Sequence, residues 1–133
     1  MDKDKKYKIL IVDDDQFLLN MYSIKFTKEN FEVVTASDGT DAIGKLRDGL
    51  VPDALILDIV MPLMDGLEVL EHIRSESLIP TTSIIILSNQ GQSSDIEKAR
   101  KLGIQSYIVK ATTIPSEVLA EVKRVLAEKK PSA

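Results

Sequence analysis

Short apolar runs that stop abruptly at a polar residue recur along this chain, and they alternate with segments of helical periodicity. Lys8-Ile9-Leu10-Ile11-Val12 runs into Asp13-Asp14-Asp15, and Ala54-Leu55-Ile56-Leu57 runs into Asp58. Runs this short and rich in branched residues read as strands buried on both faces, which is the signature of a parallel sheet covered by helices. In an open parallel sheet the ligand crevice lies at the carboxyl ends of the strands. If the two strands are neighbours, several carboxylates converge on one small volume. Such a gathering calls for a compensating cation, and a hard divalent metal is the natural one.

The alternation persists to the end of the chain. Phe17, Leu18, Met21, Tyr22 and Ile24 recur at helical spacing until Asn30 marks a stop, and Phe31 to Ala36 reads as a second strand. Ser37-Asp38-Gly39 opens a helix carrying Ala42, Ile43 and Leu46. Asp65-Gly66 precedes another, with Leu67, Val69, Leu70 and Ile73. Ser83 to Ser88 is the fourth strand, and Ser106 to Val109 the fifth. Between them lies a helix with only Ile96, Ala99 and Leu102 as its apolar stripe, so it is expected to be the least firmly docked. Pro115 sits in the first turn of a last helix with a continuous stripe of Val118, Leu119, Val122, Val125 and Leu126. Five β-α units with right-handed crossovers make a doubly wound α/β sheet. A strand order of 2-1-3-4-5 would set Asp13, Asp14 and Asp58 in one crevice.

Composition narrows the function classes. The 133 residues suit one domain, and a formal net charge of −4 argues against non-specific nucleic-acid binding. The absence of cysteine excludes disulfides, zinc-thiolate sites and thiol catalysis. No apolar stretch approaches the roughly 18 residues that cross a bilayer. With no signal-peptide core in the charged first residues, a cytoplasmic location is expected, without membrane association. Residues 1–7 and 129–133 are expected to be flexible, flanking a single domain over 8–128.

Two further strand ends carry polar groups in the same register, Ser88 after the fourth and Lys110 after the fifth. Taken singly, each feature has an ordinary explanation. An aspartate after a strand commonly caps a helix, which is the duty expected of Asp15, and a lone serine or lysine there is a turn or surface residue. Together, the acids can hold a metal and offer a nucleophile, and the hydroxyl and ammonium can bind phosphoryl oxygens. His72, the only histidine, lies in a charged stretch and reads as solvated. Glu117, Glu121, Lys123 and Arg124 read as a solvated helix face with supporting ion pairs.

Ile9 to Asp15, Pro52 to Pro62, Met64-Asp65-Gly66 and Tyr107-Ile108-Val109-Lys110 resemble the receiver domain of two-component response regulators. The resemblance implies a flavodoxin-like fold in which Asp58 accepts a phosphoryl group from a phosphohistidine. The donor would be a sensor histidine kinase or a histidine phosphotransfer protein. It further implies Mg²⁺ as cofactor, bound by Asp14 directly, by Asp13 through water, by Asp58 and by the Val60 backbone carbonyl. Ser88 and Lys110 would hold phosphoryl oxygens, and Tyr107 would occupy the aromatic switch position and rotate as Ser88 is drawn inward. The face formed by the fourth helix, fifth strand and fifth helix would be the output surface for a protein target, and could pair two copies of the chain. Such a domain is a phosphoacceptor rather than an enzyme acting on other molecules.

The chain departs from that pattern at two places. Ala111 follows the lysine where receivers carry a proline. A cis bond before a non-proline residue costs about 2.5–4 kcal/mol, so a trans bond is expected, with Lys110 still reaching Asp58. Asn89 stands after Ser88 where a small residue is usual, and Asn89 and Gln90 lie where phosphoryl lifetime would be tuned. Two other readings remain open at this point. One is a receiver-like binding module that never takes phosphate. The other is a phosphatase similar to the haloacid dehalogenases, which carry Asp-x-Asp after a strand with the first aspartate as nucleophile.

Overall fold

The computed structural model describes residues 4–89 and 93–129. Five strands, β1 (Lys8–Val12), β2 (Glu32–Ala36), β3 (Ala54–Leu57), β4 (Ser83–Ser88) and β5 (Ser106–Val109), alternate with five helices. These are α1 (Gln16–Lys28), α2 (Gly39–Arg47), α3 (Gly66–Ser75), α4 (Ser93–Lys101) and α5 (Pro115–Glu128). All strand pairs are parallel, in the order β2-β1-β3-β4-β5. The doubly wound sheet expected from the alternation, and the flavodoxin-like topology the resemblance implies, are both present.

Side chains of successive strand residues point to opposite faces, and the core divides accordingly. Leu10, Val12, Leu55, Leu57, Ile84 and Ile86 pack under α2, α3 and α4. Ile9, Ile11, Ile56, Ile85, Leu87 and Ile108 pack under α1 and α5. The register of β1 against β3 is pinned at both ends. Asp53 accepts the Lys8 amide on its carboxylate and donates its own amide to the Lys8 carbonyl, each at 2.8 Å. At the other end the Asp58 amide donates to the Val12 carbonyl at 3.0 Å.

Helix starts are set by aspartates. Asp15 accepts the Phe17 and Leu18 amides at 3.0 and 3.2 Å, Asp38 accepts that of Asp41 at 2.7 Å, and Asp65 accepts that of Glu68 at 2.9 Å. Each satisfies donors that a helix leaves open at its first turn. At the start of α5 the Glu117 carboxylate accepts the Ile114 amide at 3.1 Å.

One expectation from the sequence needs correction. The buried residues of α1 are Leu19, Tyr22 and Phe26, whereas Phe17 and Ile24 are 76% and 60% exposed, with Leu18 and Met21 half-buried. The helix is apolar on more than one side, so periodicity alone does not select its inner face. Phe26 decides it by meeting Phe31 edge-on, ring centroids 5.1 Å apart, just before β2. The α5 polar face also differs in detail from a purely solvated one. Arg124 pairs with Glu121 and Glu128 and Lys123 with Glu29, but Glu121 also accepts the Ser106 hydroxyl at 2.5 Å, which ties α5 to β5. His72 contacts Glu76 at 3.0 Å on the surface, as a solvated residue would.

The fourth helix is thinly anchored: Ala99 is buried, and Ile96 and Leu102 are half-buried. Its carboxyl end is held from α3, where the Arg74 guanidinium donates to the carbonyls of Leu102 and Gly103. Gly103 has φ +90°, and a Cβ there would stand 3.1 Å from that guanidinium. At the termini, Lys5 pairs with Asp53 at 3.3 Å, Tyr7 packs on Phe31, and the Lys129 ammonium donates to the Thr81 carbonyl. Among the described residues no helix is long and apolar enough to cross a membrane.

The α1 face gives a direct test. Phe26→Ala should cost about 3–5 kcal/mol in denaturant unfolding, because it opens a cavity between α1 and β2. Ile24→Ser on the exposed side should change stability by less than about 0.5 kcal/mol.

Candidate functional site

The parallel register carries the four strand ends to one edge of the sheet. Val12 is level with Leu57, Leu57 with Ile86, and Ser88 with Val109, so the residues that follow each strand share a crevice. Asp13, Asp14, Asp58, Val60, Ser88, Asn89 and Lys110 line one pocket of about 280 Å³, with Asp15 and Leu18 contributed by the start of α1. Every pocket residue expected from the sequence is thus brought together. Gln90 lies outside the described residues.

Within the pocket the charges are tightly spaced. Asp13, Asp14 and Asp58 each offer an oxygen, all within 4.8 Å of one another. Asp13 and Asp58 are buried and Asp14 is exposed. The Lys110 ammonium donates to Asp13 at 2.5 Å and to Asp58 at 3.3 Å, so it reaches Asp58 as expected but sits closer to Asp13. No peptide bond among the described residues is cis, Lys110–Ala111 included. Lys110 opens a single 3-10 turn over Lys110–Thr112, held by the Thr113 hydroxyl donating to the Val109 carbonyl at 2.9 Å.

Burial pushes the Asp58 carboxyl above its ordinary pKa. Lys110 pulls it back, the neighbouring Asp13 charge adds to the rise, and hydrogen bonds from Lys110 and Ser88 oppose it. Burial works against the Lys110 ammonium, yet its hydrogen bond to Asp13 and the charge of Asp58 carry it above the usual lysine value. Ser88 is fully buried, and its hydroxyl opposes the rise in pKa of both the Asp58 carboxyl and the Tyr107 phenol. Tyr107 packs half-buried against the core on β5.

The donor set fits a hard divalent cation. Three carboxylates in reach of one point, one of them exposed and able to leave room for water, match what small oxygen-seeking ions require. One protein ammonium does not neutralise three carboxylates, which leaves the pocket acidic.

Comparison with known proteins agrees with this geometry. The profile of the response regulator receiver domain matches residues 9–123. The chain belongs to the response regulator receiver family. It is 36% identical over 126 residues to a probable transcriptional regulator, ycf27, of Guillardia theta, covering 95% of this chain and 48% of that protein. It is 33% identical to the alkaline phosphatase synthesis transcriptional regulatory protein PhoP of Bacillus subtilis, covering 90% and 48%. A CheY-like receiver domain protein from Methanospirillum hungatei superposes with a TM-score of 0.86 at 26% identity, covering 94% of this chain and 97% of that one. The chain spans about half the length of these two regulators. It is a signalling domain of two-component systems, and its acidic cluster fits the phosphoacceptor site of such receivers.

The sequence names Gly66 within the receiver-like motif but does not show what it packs against. Gly66 donates its amide to the Ile59 carbonyl at 2.8 Å, and a Cβ there would stand 2.2 Å from the Asp58 carbonyl. The Asp65-Gly66 pair reads as turn chemistry, and a turn signal does not disclose which backbone it presses against.

The raised Asp58 pKa sets a direction for stability. Its folded pKa exceeds the unfolded value, so ionising it costs stability as pH rises through the window between the two. In metal-free buffer at neutral pH, Asp58→Asn should therefore unfold at higher denaturant than the parent, and the gap should close as pH falls towards the ordinary aspartate pKa. Equal midpoints at both pH values would contradict this.

Proposed function

We propose that Asp58 is the phosphoacceptor, taking a phosphoryl group from a phosphohistidine on a sensor histidine kinase or histidine phosphotransfer protein. The observation that carries the reading is the placement of Asp58. It is buried in an acidic pocket with the Lys110 ammonium already on its carboxylate and the buried Ser88 in the same lining. In the transfer, an Asp58 oxygen forms a bond to phosphorus as the phosphorus–nitrogen bond breaks, and the electron pair returns to the imidazole of the donor. Mg²⁺ held by Asp13, Asp14, Asp58 and the Val60 carbonyl would supply positive charge against the phosphoryl oxygens. Lys110, already paired with Asp58, would neutralise charge there, and Ser88 would donate its hydroxyl to a phosphoryl oxygen.

The output follows from what Ser88 touches. Ser88 already influences the Tyr107 phenol, so a hydroxyl drawn to the phosphoryl group would change the surroundings of Tyr107 on β5. The face of α4, β5 and α5 would then present a changed surface to a downstream protein, or to a second copy of the chain. Asn89, exposed at the pocket rim, would tune access to the phosphoryl group, as would Gln90. The domain acts on no other substrate in this reading and assists only its own phosphorylation and dephosphorylation. It would work in the cytoplasm, without contacting nucleic acid or membrane directly.

Incubation with acetyl phosphate and Mg²⁺ should add one phosphoryl group by intact mass, absent in Asp58→Asn and after chelation of the metal. Lys110→Ala should slow the addition by at least tenfold. No added mass would favour a phosphate-independent binding module. Steady turnover of a small phosphate ester, lost in Asp13→Asn but kept in Asp58→Asn, would favour a phosphatase.

A further inference from the structure

Four residues other than glycine hold a positive φ among the described residues: Asn30 (65°), Leu63 (68°), Ser77 (54°) and Ile79 (41°). Left-handed backbone is costly for residues with a Cβ, least so for Asn. Asn30 and Ser77 are short polar residues just past α1 and α3, where chains commonly turn this way. Ile79 is β-branched and strained, but its side chain is 5% exposed and fills the core. Leu63 has no such return. It is 97% exposed, so the fold gains nothing from a large apolar side chain there.

Its location suggests what does gain. Leu63 lies in the loop that leaves Asp58 and returns at Gly66, with the Met64 amide donating to the Pro62 carbonyl at 2.8 Å. Val60, in the same loop, is 53% exposed and lines the acidic pocket. Across the pocket α1 contributes Leu18 to the lining, and its neighbour Phe17 is 76% exposed. Apolar side chains thus stand out from two of the elements that wall the pocket. Asp58 is 5% exposed, so a phosphoryl group carried on a protein side chain reaches it only if the carrier's surface comes down on these walls.

Resting on the phosphoacceptor reading above, we propose that Leu63 is a docking contact for the protein that bears the phosphohistidine, received by an apolar patch on that donor. The strained backbone is retained because the exposed leucine is used in the encounter. A small soluble donor makes no such contact and should be indifferent to it.

The test is Leu63→Asn, which keeps the left-handed conformation at lower cost and so does not endanger folding. Thermal unfolding should shift up by roughly 3–5 °C. Loading from acetyl phosphate should stay within about twofold of the parent. The protein probe is the fastest donor to the parent chain among the autophosphorylated histidine kinases and phosphotransfer proteins of its own genome. Transfer from that donor should fall about tenfold in Leu63→Asn and be kept in Leu63→Met, which retains an apolar side chain. An unchanged or lower melting temperature, transfer within twofold of the parent, or an equal loss with acetyl phosphate overturns the proposal. So does a parent chain that loads from acetyl phosphate but from none of those proteins. A parent chain that fails to load Asp58 even from acetyl phosphate sinks the phosphoacceptor reading itself, and this inference with it.

Discussion

The parallel pairing of β1 with β3 is the constraint on which the rest of this structure depends. It sets Asp13 beside Asp58, and a like-charged pair about 4 Å apart near a protein surface repels by about 4 kcal/mol. Nothing local in either strand compensates that repulsion. The compensation is the sheet core on both faces, together with the Asp53 and Asp58 backbone bonds that pin the register at each end. Lys110 offsets part of the remainder by placing its ammonium on both acids. A hydrophobic scaffold thereby holds an electrostatically unfavourable cluster in place, leaving it ready to gain from a cation.

The parts around that cluster differ in how firmly they are held. α3 begins with Gly66 pressed against the Asp58 backbone, is buried along Val69, Leu70 and Ile73, and ends with Arg74 gripping the end of α4. It is a stiff connection between the acidic pocket and the end of α4. α4 itself has little buried apolar surface, so its hold on the sheet is slight. Signalling needs one part that does not yield and one that does. Ser88, fully buried at the end of β4, acts on the titration of both Asp58 and Tyr107.

Much of this was legible before any coordinates. Strand identity, the two-faced burial of β1, β3 and β4, the aspartate caps and the acidic strand ends all follow from local pattern, because a period of two and a capping carboxylate act over a few residues. The inner face of α1 was not legible, since Phe17, Leu19, Ile24 and Phe26 are all apolar and only contact with Phe31 selects among them. The closer approach of Lys110 to Asp13 than to Asp58 was hidden too, because it depends on where a 3-10 turn aims a long flexible side chain. The strain at Leu63 was equally out of sight, since a φ angle is set by both ends of its loop.

By itself, the order of residues determined the five β-α units, the polar residue at each critical strand end and the family kit of three acids, a serine and a lysine. Only the tertiary structure decided which carboxylates share an ammonium, why residue 66 has no side chain and which exposed leucine is held at a conformational cost. The physical reason is range. Periodicity and capping are settled among neighbours in the chain, whereas charge pairing, close backbone approach and strain arise between segments that meet only when the sheet closes.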